Sequence, residues 1–127
     1  MYITIDQEDG RPIYRQVVDE IKGLIARGEL DKGSSLPPVR QVAADLGVNL
    51  NTIAYAYRQL QREGLIRVRH GAGAVVISRL VEQSVSERLH AKLQAALTDL
   101  VLSGLTRAEV TGLVNDALNS LTRDRIR

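Results

Sequence analysis

Cysteine is absent from the 127-residue chain, which removes disulfides, thiolate metal sites and cysteine nucleophiles together and fits a reducing compartment. Phe and Trp are absent as well. A core must therefore be aliphatic, built around four tyrosines at most, of which Tyr14, Tyr55 and Tyr57 fall in segments with helical spacing. No stretch approaches the roughly 18 apolar residues that a membrane-spanning helix needs, and the stretch MYITIDQEDG carries acids where a secretory signal carries bases and an apolar run. The expectation is a soluble, cytoplasmic protein with no membrane partner. An excess of one charge is also missing: 17 Lys and Arg stand against 15 Asp and Glu, a net charge of +2 that by itself names no partner. With 44% hydrophobic and 25% charged residues the composition is that of a folded domain. At this length neither a large enzyme nor a fused catalytic domain is expected.

Division by segment is more informative than the total. Residues 1–35 hold 5 basic and 7 acidic side chains, residues 36–78 hold 5 and 2, and residues 79–127 hold 7 and 6. The positive surplus lies in the middle third.

Ile3 and Ile5 alternate with polar neighbours and predict a short strand before the turn at Asp9-Gly10. From Pro12 onward Ile13, Val17, Ile21, Leu24 and Ile25 recur at helical spacing, with Gly28 placed to stop the helix. The Gly-, Ser- and Pro-rich stretch from Asp31 to Pro38 reads as a loop, with Pro38 suited to the first turn of a second helix through Val39, Val42, Ala43 and Leu46. Gly47 ends that helix, and Asn49 follows at once as a cap for a third. Two short helices joined by a tight Gly-containing turn make a helix-turn-helix. At about 100° per residue, Ile53, Ala56, Tyr57 and Leu60 form the buried stripe of the third helix, while Asn51, Tyr55, Arg58 and Arg62 face outward with no acid among them. Leu65 to Arg69 then alternates apolar with basic, His70-Gly71-Ala72-Gly73 is a turn, and Ala74 to Ile77 completes a hairpin with Arg67 and Arg69 on one face.

From about Leu80 the pattern becomes a long helix with Val81, Val85, Leu89, Leu93, Leu97 and Leu100, broken at Gly104. Thr106 and Glu109 have the spacing of a capping box that opens a last helix through Val110, Leu113, Val114, Ala117 and Leu121. The fold expected is mainly α with a small β-hairpin: a winged helix-turn-helix over residues 1–78, then a helical hairpin over residues 79–127.

The runs Ile13-Tyr14-Arg15-Gln16-Val17, Leu36-Pro37-Pro38-Val39-Arg40-Gln41-Val42-Ala43, Gly47-Val48-Asn49-Leu50-Asn51-Thr52-Ile53, Glu63-Gly64-Leu65-Ile66 and Arg69-His70-Gly71-Ala72-Gly73 resemble the GntR family of bacterial transcription regulators. The Val-Asn-x-Asn-Thr run and the small C-terminal helix pair resemble its YtrA-type branch. The resemblance implies a dimeric winged-helix repressor that binds double-stranded, palindromic operator DNA through the third helix and the wing. It implies DNA contact by Arg40 at the start of helix two, by Asn49, Asn51 and Thr52 at the start of helix three, and by Gly71 in the minor groove.

Each of these residues also has a plainer reading. Arg40, Arg58, Arg62, Arg67 and Arg69 could be solvated surface, but their segment holds only Asp45 and Glu63 as acids, which favours phosphate contact for Arg40, Arg58 and Arg69. Asn49 serves as a cap or a phosphate ligand. Asn51 lies where an amide can pair bidentately with adenine in a major groove. Tyr55 either joins it or packs over a neighbouring helix, whereas Tyr57 and Tyr14 read as core. His70 has no metal-ligating or catalytic neighbours and in a wing meets DNA backbone; His90 reads as an exposed polar residue. No Lys-Ser or Lys-Thr follows the wing glycines, so they are no nucleotide cradle. No catalytic set, metal or cofactor is expected.

The stripe of Val85, Leu89, Leu93, Leu97, Leu100, Leu113, Ala117 and Leu121 is either internal packing or a two-fold interface. The second is favoured because so short a segment cannot readily enclose an effector pocket. A competing reading of the whole chain is a winged-helix module that binds protein instead of DNA, which predicts a salt dependence of DNA binding near zero.

Overall fold

The computed structural model describes residues 1–81 and 86–122, and the chain divides into two compact units, the first spanning Met1–Val81. In chain order the first unit contains α1 (Ile13–Ala26), β1 (Ser35–Leu36), α2 (Val39–Leu46), α3 (Leu50–Arg62), β2 (Ile66–Arg69) and β3 (Gly73–Val76). The second contains α4 (Ser86–Leu102) and α5 (Arg107–Thr122). The strands form one antiparallel sheet in the order β1-β3-β2, with Ile66 opposite Val76 and Arg69 opposite Gly73.

Helical spacing decides what the first unit buries. Val17, Val18 and Ile21 of α1 and Ile53, Ala56 and Leu60 of α3 have no exposed surface at all, and each full burial of a Leu or Ile contributes about 1.5–3 kcal/mol. Leu36, Ile66 and Val76 bring the sheet onto the same core. Gln16 is buried too, at 3% exposure, and stays satisfied by accepting from the Asp6 N–H and donating to the carbonyls of Asp6 and Arg11. A half-buried ion pair between Lys22 and Glu63 fastens α1 to the end of α3.

Several sequence expectations change. Ile3 and Ile5 form no strand: the segment is held by side chains of α1, with Glu20 accepting from the Thr4 N–H at 3.1 Å and Gln16 from Asp6 at 2.7 Å, while both isoleucines pack on the core. The Asp31–Pro38 loop contains β1, which pairs with β3 across some forty residues. Pro12 and Pro38 precede α1 and α2 as N-caps. Val81 belongs to no helix and packs on the core of the first unit, and α4 begins at Ser86. Val85 lies outside the described residues.

The chain leaves the first unit tied to it. Arg79 donates from its guanidinium to the carbonyls of Ile25 and Ala26, both at 3.1 Å. These are C-terminal carbonyls of α1, where a cation suits the negative end of the helix.

In the second unit α4 ends at the Ser103-Gly104 turn, and α5 starts from the expected capping box. The Glu109 carboxylate accepts from the Thr106 N–H at 3.0 Å while the Thr106 hydroxyl accepts from the Glu109 N–H at 3.2 Å. Its half-buried leucines and valines, Leu97, Leu100, Leu105 and Val110, lie near the turn in sequence. Leu89, Leu93, Leu113, Ala117 and Leu121 are exposed.

Candidate nucleic-acid interface

The turn between α2 and α3 is made by a glycine and an asparagine. Gly47 takes a left-handed conformation with φ +69°, which ends α2 without the steric cost a β-carbon brings there. Two residues on, Asn49 Oδ1 accepts from the Asn51 N–H at 2.7 Å and so caps α3. The side-chain oxygen of Asn49 is committed to the helix.

α2 is held against α3 from behind. The Tyr57 hydroxyl, whose pKa burial pushes up well beyond the usual phenol value, donates to the Pro37 carbonyl at 2.6 Å just before α2 begins. The wing is held by backbone fit. Gly73 opens β3 at φ +81°, and a β-carbon there would lie 2.2 Å from the Leu36 carbonyl oxygen. No other residue can bring the wing this close to the segment that leads into α2. Gln61 of α3 accepts from the Val68 N–H at 2.7 Å and fixes β2 in turn.

These constraints leave an open groove of about 480 Å³ between the starts of α2 and α3 and the wing. It is lined by Pro38, Val39, Arg40, Leu50, Asn51, Ala54, Val68, Arg69, His70, Gly71 and Gly73, with no acid among them. Of the residues singled out in the sequence, Arg40, Asn51, Arg69, His70 and Gly71 are brought together here. Asn49, Thr52, Tyr55 and Arg58 are not in the lining. Leu50, Ala54 and Val68 form apolar parts of the wall that sequence reasoning passed over; Leu50 is 43% and Val68 37% exposed, a signal visible only once the faces of α3 and β2 are known.

Ion pairing separates the basic residues into two sets. Arg11, Lys22 and Arg27 each have an acid partner. Among the described residues Arg40, Arg58, Arg62, Arg67 and Arg69 have none and are exposed, so their charge is available to an external anion. Tyr57 is core as expected, but Tyr14 is only half-buried and stacks on Tyr55 with ring centroids 4.6 Å apart. Also among the described residues, no group of three or more His, Asp and Glu side chains is placed to hold a metal ion, and no helix is long and apolar enough to cross a membrane.

Comparison with known proteins agrees with this geometry. The transcriptional repressor YtrA of Bacillus subtilis is 38% identical over 74 residues, which cover 58% of this chain and 57% of that protein, so the match spans little more than half the length of that relative. A Listeria monocytogenes protein described as a transcriptional antiterminator has the same fold with a TM-score of 0.83, at 29% identity over 92% of this chain and 90% of that one. The DNA-binding domain of AraR, solved in complex with operator ORE1, matches 60% of this chain and 93% of that domain with a TM-score of 0.50 and 28% identity. The relatives carry the names of regulators, not of enzymes. Residues 13–76, which hold the helix-turn-helix and the wing, match the family described as bacterial regulatory proteins, gntR family, and the chain belongs to that family.

Proposed function

We propose that the protein is a cytoplasmic, homodimeric repressor that binds a palindromic operator through the groove between α2, α3 and the wing. The observation that carries this reading is the convergence of Arg40, Asn51, Arg69 and His70 on one acid-free groove. Arg40 and Arg69 supply phosphate contacts, which give affinity and register without reading sequence. Asn51, near the start of α3, reaches base edges in the major groove, where an amide pairs bidentately with adenine. Leu50, Ala54 and Val68 offer apolar surface that suits a thymine methyl group. His70 and Gly71 place the wing tip beside the neighbouring backbone, and Asn49 and Thr52 support the entry of α3.

The dimer is supported by the exposed stripe of Leu89, Leu93, Leu113, Ala117 and Leu121, with Leu97 and Leu100 half-buried beside it. A two-fold axis through α4 and α5 would set two copies of α3 about 34 Å apart, one DNA turn, or a multiple of that. Repression is supported by the relative that is named a repressor.

Arg40→Ala tests the interface. Operator affinity in a gel shift at physiological salt is expected to fall about tenfold, with folding and association unchanged. Equal affinity of the variant and the parent rejects the assignment. Selection of bound duplexes from a random pool is expected to return a palindromic consensus.

A further inference from the structure

Tyr55 and Arg58 face solvent from α3 yet do not line the groove, and they belong to a second arrangement. The Tyr55 ring lies against that of Tyr14 in the first turn of α1, with an interplanar angle of 19°. A guanidinium stands over each ring: that of Arg15 is 5.5 Å from the Tyr14 centroid, and that of Arg58 is 5.9 Å from the Tyr55 centroid. The result is an Arg-Tyr-Tyr-Arg cluster that joins two helices at the surface.

Nearby acids leave these cations unpaired. Asp19, one turn after Arg15 and the natural partner for it, instead accepts from Arg11 at 2.7 Å. Glu63, close to Arg58 in sequence, is taken by Lys22 and Gln59. Arg15 moreover sits in the first turn of α1, which contains no acid, and a cation there opposes the positive end of the helix. Arg15 and Arg58 therefore carry charge that no acid among the described residues neutralises, and it is available to an external anion. Each guanidinium thus has a ring for a neighbour in place of an acid, which steadies it and leaves its N–H groups to bond an anion.

The placement also fits. Asn51 and Arg58 lie on the same outward face of α3, seven residues or about 10 Å apart along the helix, and the major groove is about 12 Å wide. With the start of α3 at the base edges, Arg58 and, through the Tyr55–Tyr14 stack, Arg15 come within reach of a bounding phosphate backbone. We infer that Arg15, Tyr14, Tyr55 and Arg58 form a second phosphate clamp, so that the DNA footprint extends to the first turn of α1. This inference rests on the operator-binding reading above and adds Tyr14 and Arg15 to the interface.

The test is the salt dependence of binding of the full chain to an operator duplex selected from a random pool, followed by fluorescence anisotropy between 50 and 200 mM salt. For Arg15→Ala the slope of log affinity against log salt is expected to shrink by about 1, and for the double variant with Arg58→Ala by about 2, with base preference unchanged. Arg15→Lys keeps the charge and is expected to keep the slope. The thermal midpoint of Arg15→Ala is expected to change little, because a favourable ring contact and an unfavourable helix-end charge are lost together, which separates a lost DNA contact from a damaged fold. An unchanged slope for Arg15→Ala beside a weakened Arg40→Ala overturns the clamp alone. If Arg40→Ala also binds like the parent, the operator-binding reading falls with it.

Discussion

Val17, Val18, Ile21, Ile53 and Leu60 of the first unit are hidden from solvent completely, whereas Leu89, Leu93, Leu102, Leu113 and Leu118 of the second are 46% to 80% exposed. Both units draw on the same aliphatic residue types, and the difference lies in what surrounds them. In the first, three helices and a sheet cover one another's apolar stripes. In the second, two helices of 17 and 16 residues form a hairpin, and helices of that length are marginal in water without tertiary packing. Burial of an apolar stripe takes at least two directions of cover, and a lone helical hairpin supplies one. Charge in the first unit is placed as well, since Arg40 and Arg69 line the groove and Arg15 and Arg58 flank the ring stack, all four without an acid partner among the described residues.

The comparison breaks most sharply at Ile53. Ile53→Ala leaves a cavity in a core that cannot collapse onto it, and a loss of about 2–5 kcal/mol is expected in denaturant unfolding, with DNA binding lost alongside. Next comes the other unit. The pair Leu93→Glu and Leu113→Glu puts charge on exposed positions, so unfolding of the first unit should be unchanged while sedimentation shifts to the monomer mass of 14.0 kDa. A mass that does not move would mean that these leucines are not the interface. The smallest effect concerns pH. Hydrogen bonding to Thr106, through its backbone N–H first and then its side chain, holds the Glu109 carboxyl below its ordinary pKa, so its support of α5 is complete above the usual carboxylate range and is lost as pH falls through the lowered value. Circular dichroism of Glu109→Gln beside the parent is expected to show a small difference in helicity at neutral pH that disappears on acidification.

Local features were the legible ones. Gly47, Asn49 and the spacing of Ile53, Tyr57 and Leu60 encode the helix-turn-helix within some twenty residues, and the Thr106–Glu109 box is readable from two letters. Features made by distant partners were not. β1 exists because Ser35 and Leu36 find Val75 and Ala74, which no local pattern announces. Ile3 and Ile5 have the alternation of a strand, but Glu20 and Gln16 take up the N–H groups a ladder would use. Val81 shares its spacing with the helix that follows and packs on the preceding unit instead. At the interface, an outward face of α3 could be drawn from the sequence, and Asn51, Tyr55 and Arg58 lie on it. That Asn51 joins Arg40 and the wing while Tyr55 pairs with Tyr14 depends on tertiary packing.

Arg79 bears on where a gene for this domain would be cut. Composition changes after Ser78, which invites a fragment ending there, but such a fragment would lack the guanidinium that caps the Ile25 and Ala26 carbonyls and the Val81 side chain that covers the core. An expression fragment carried through to Val81 brings its own helix cap with it.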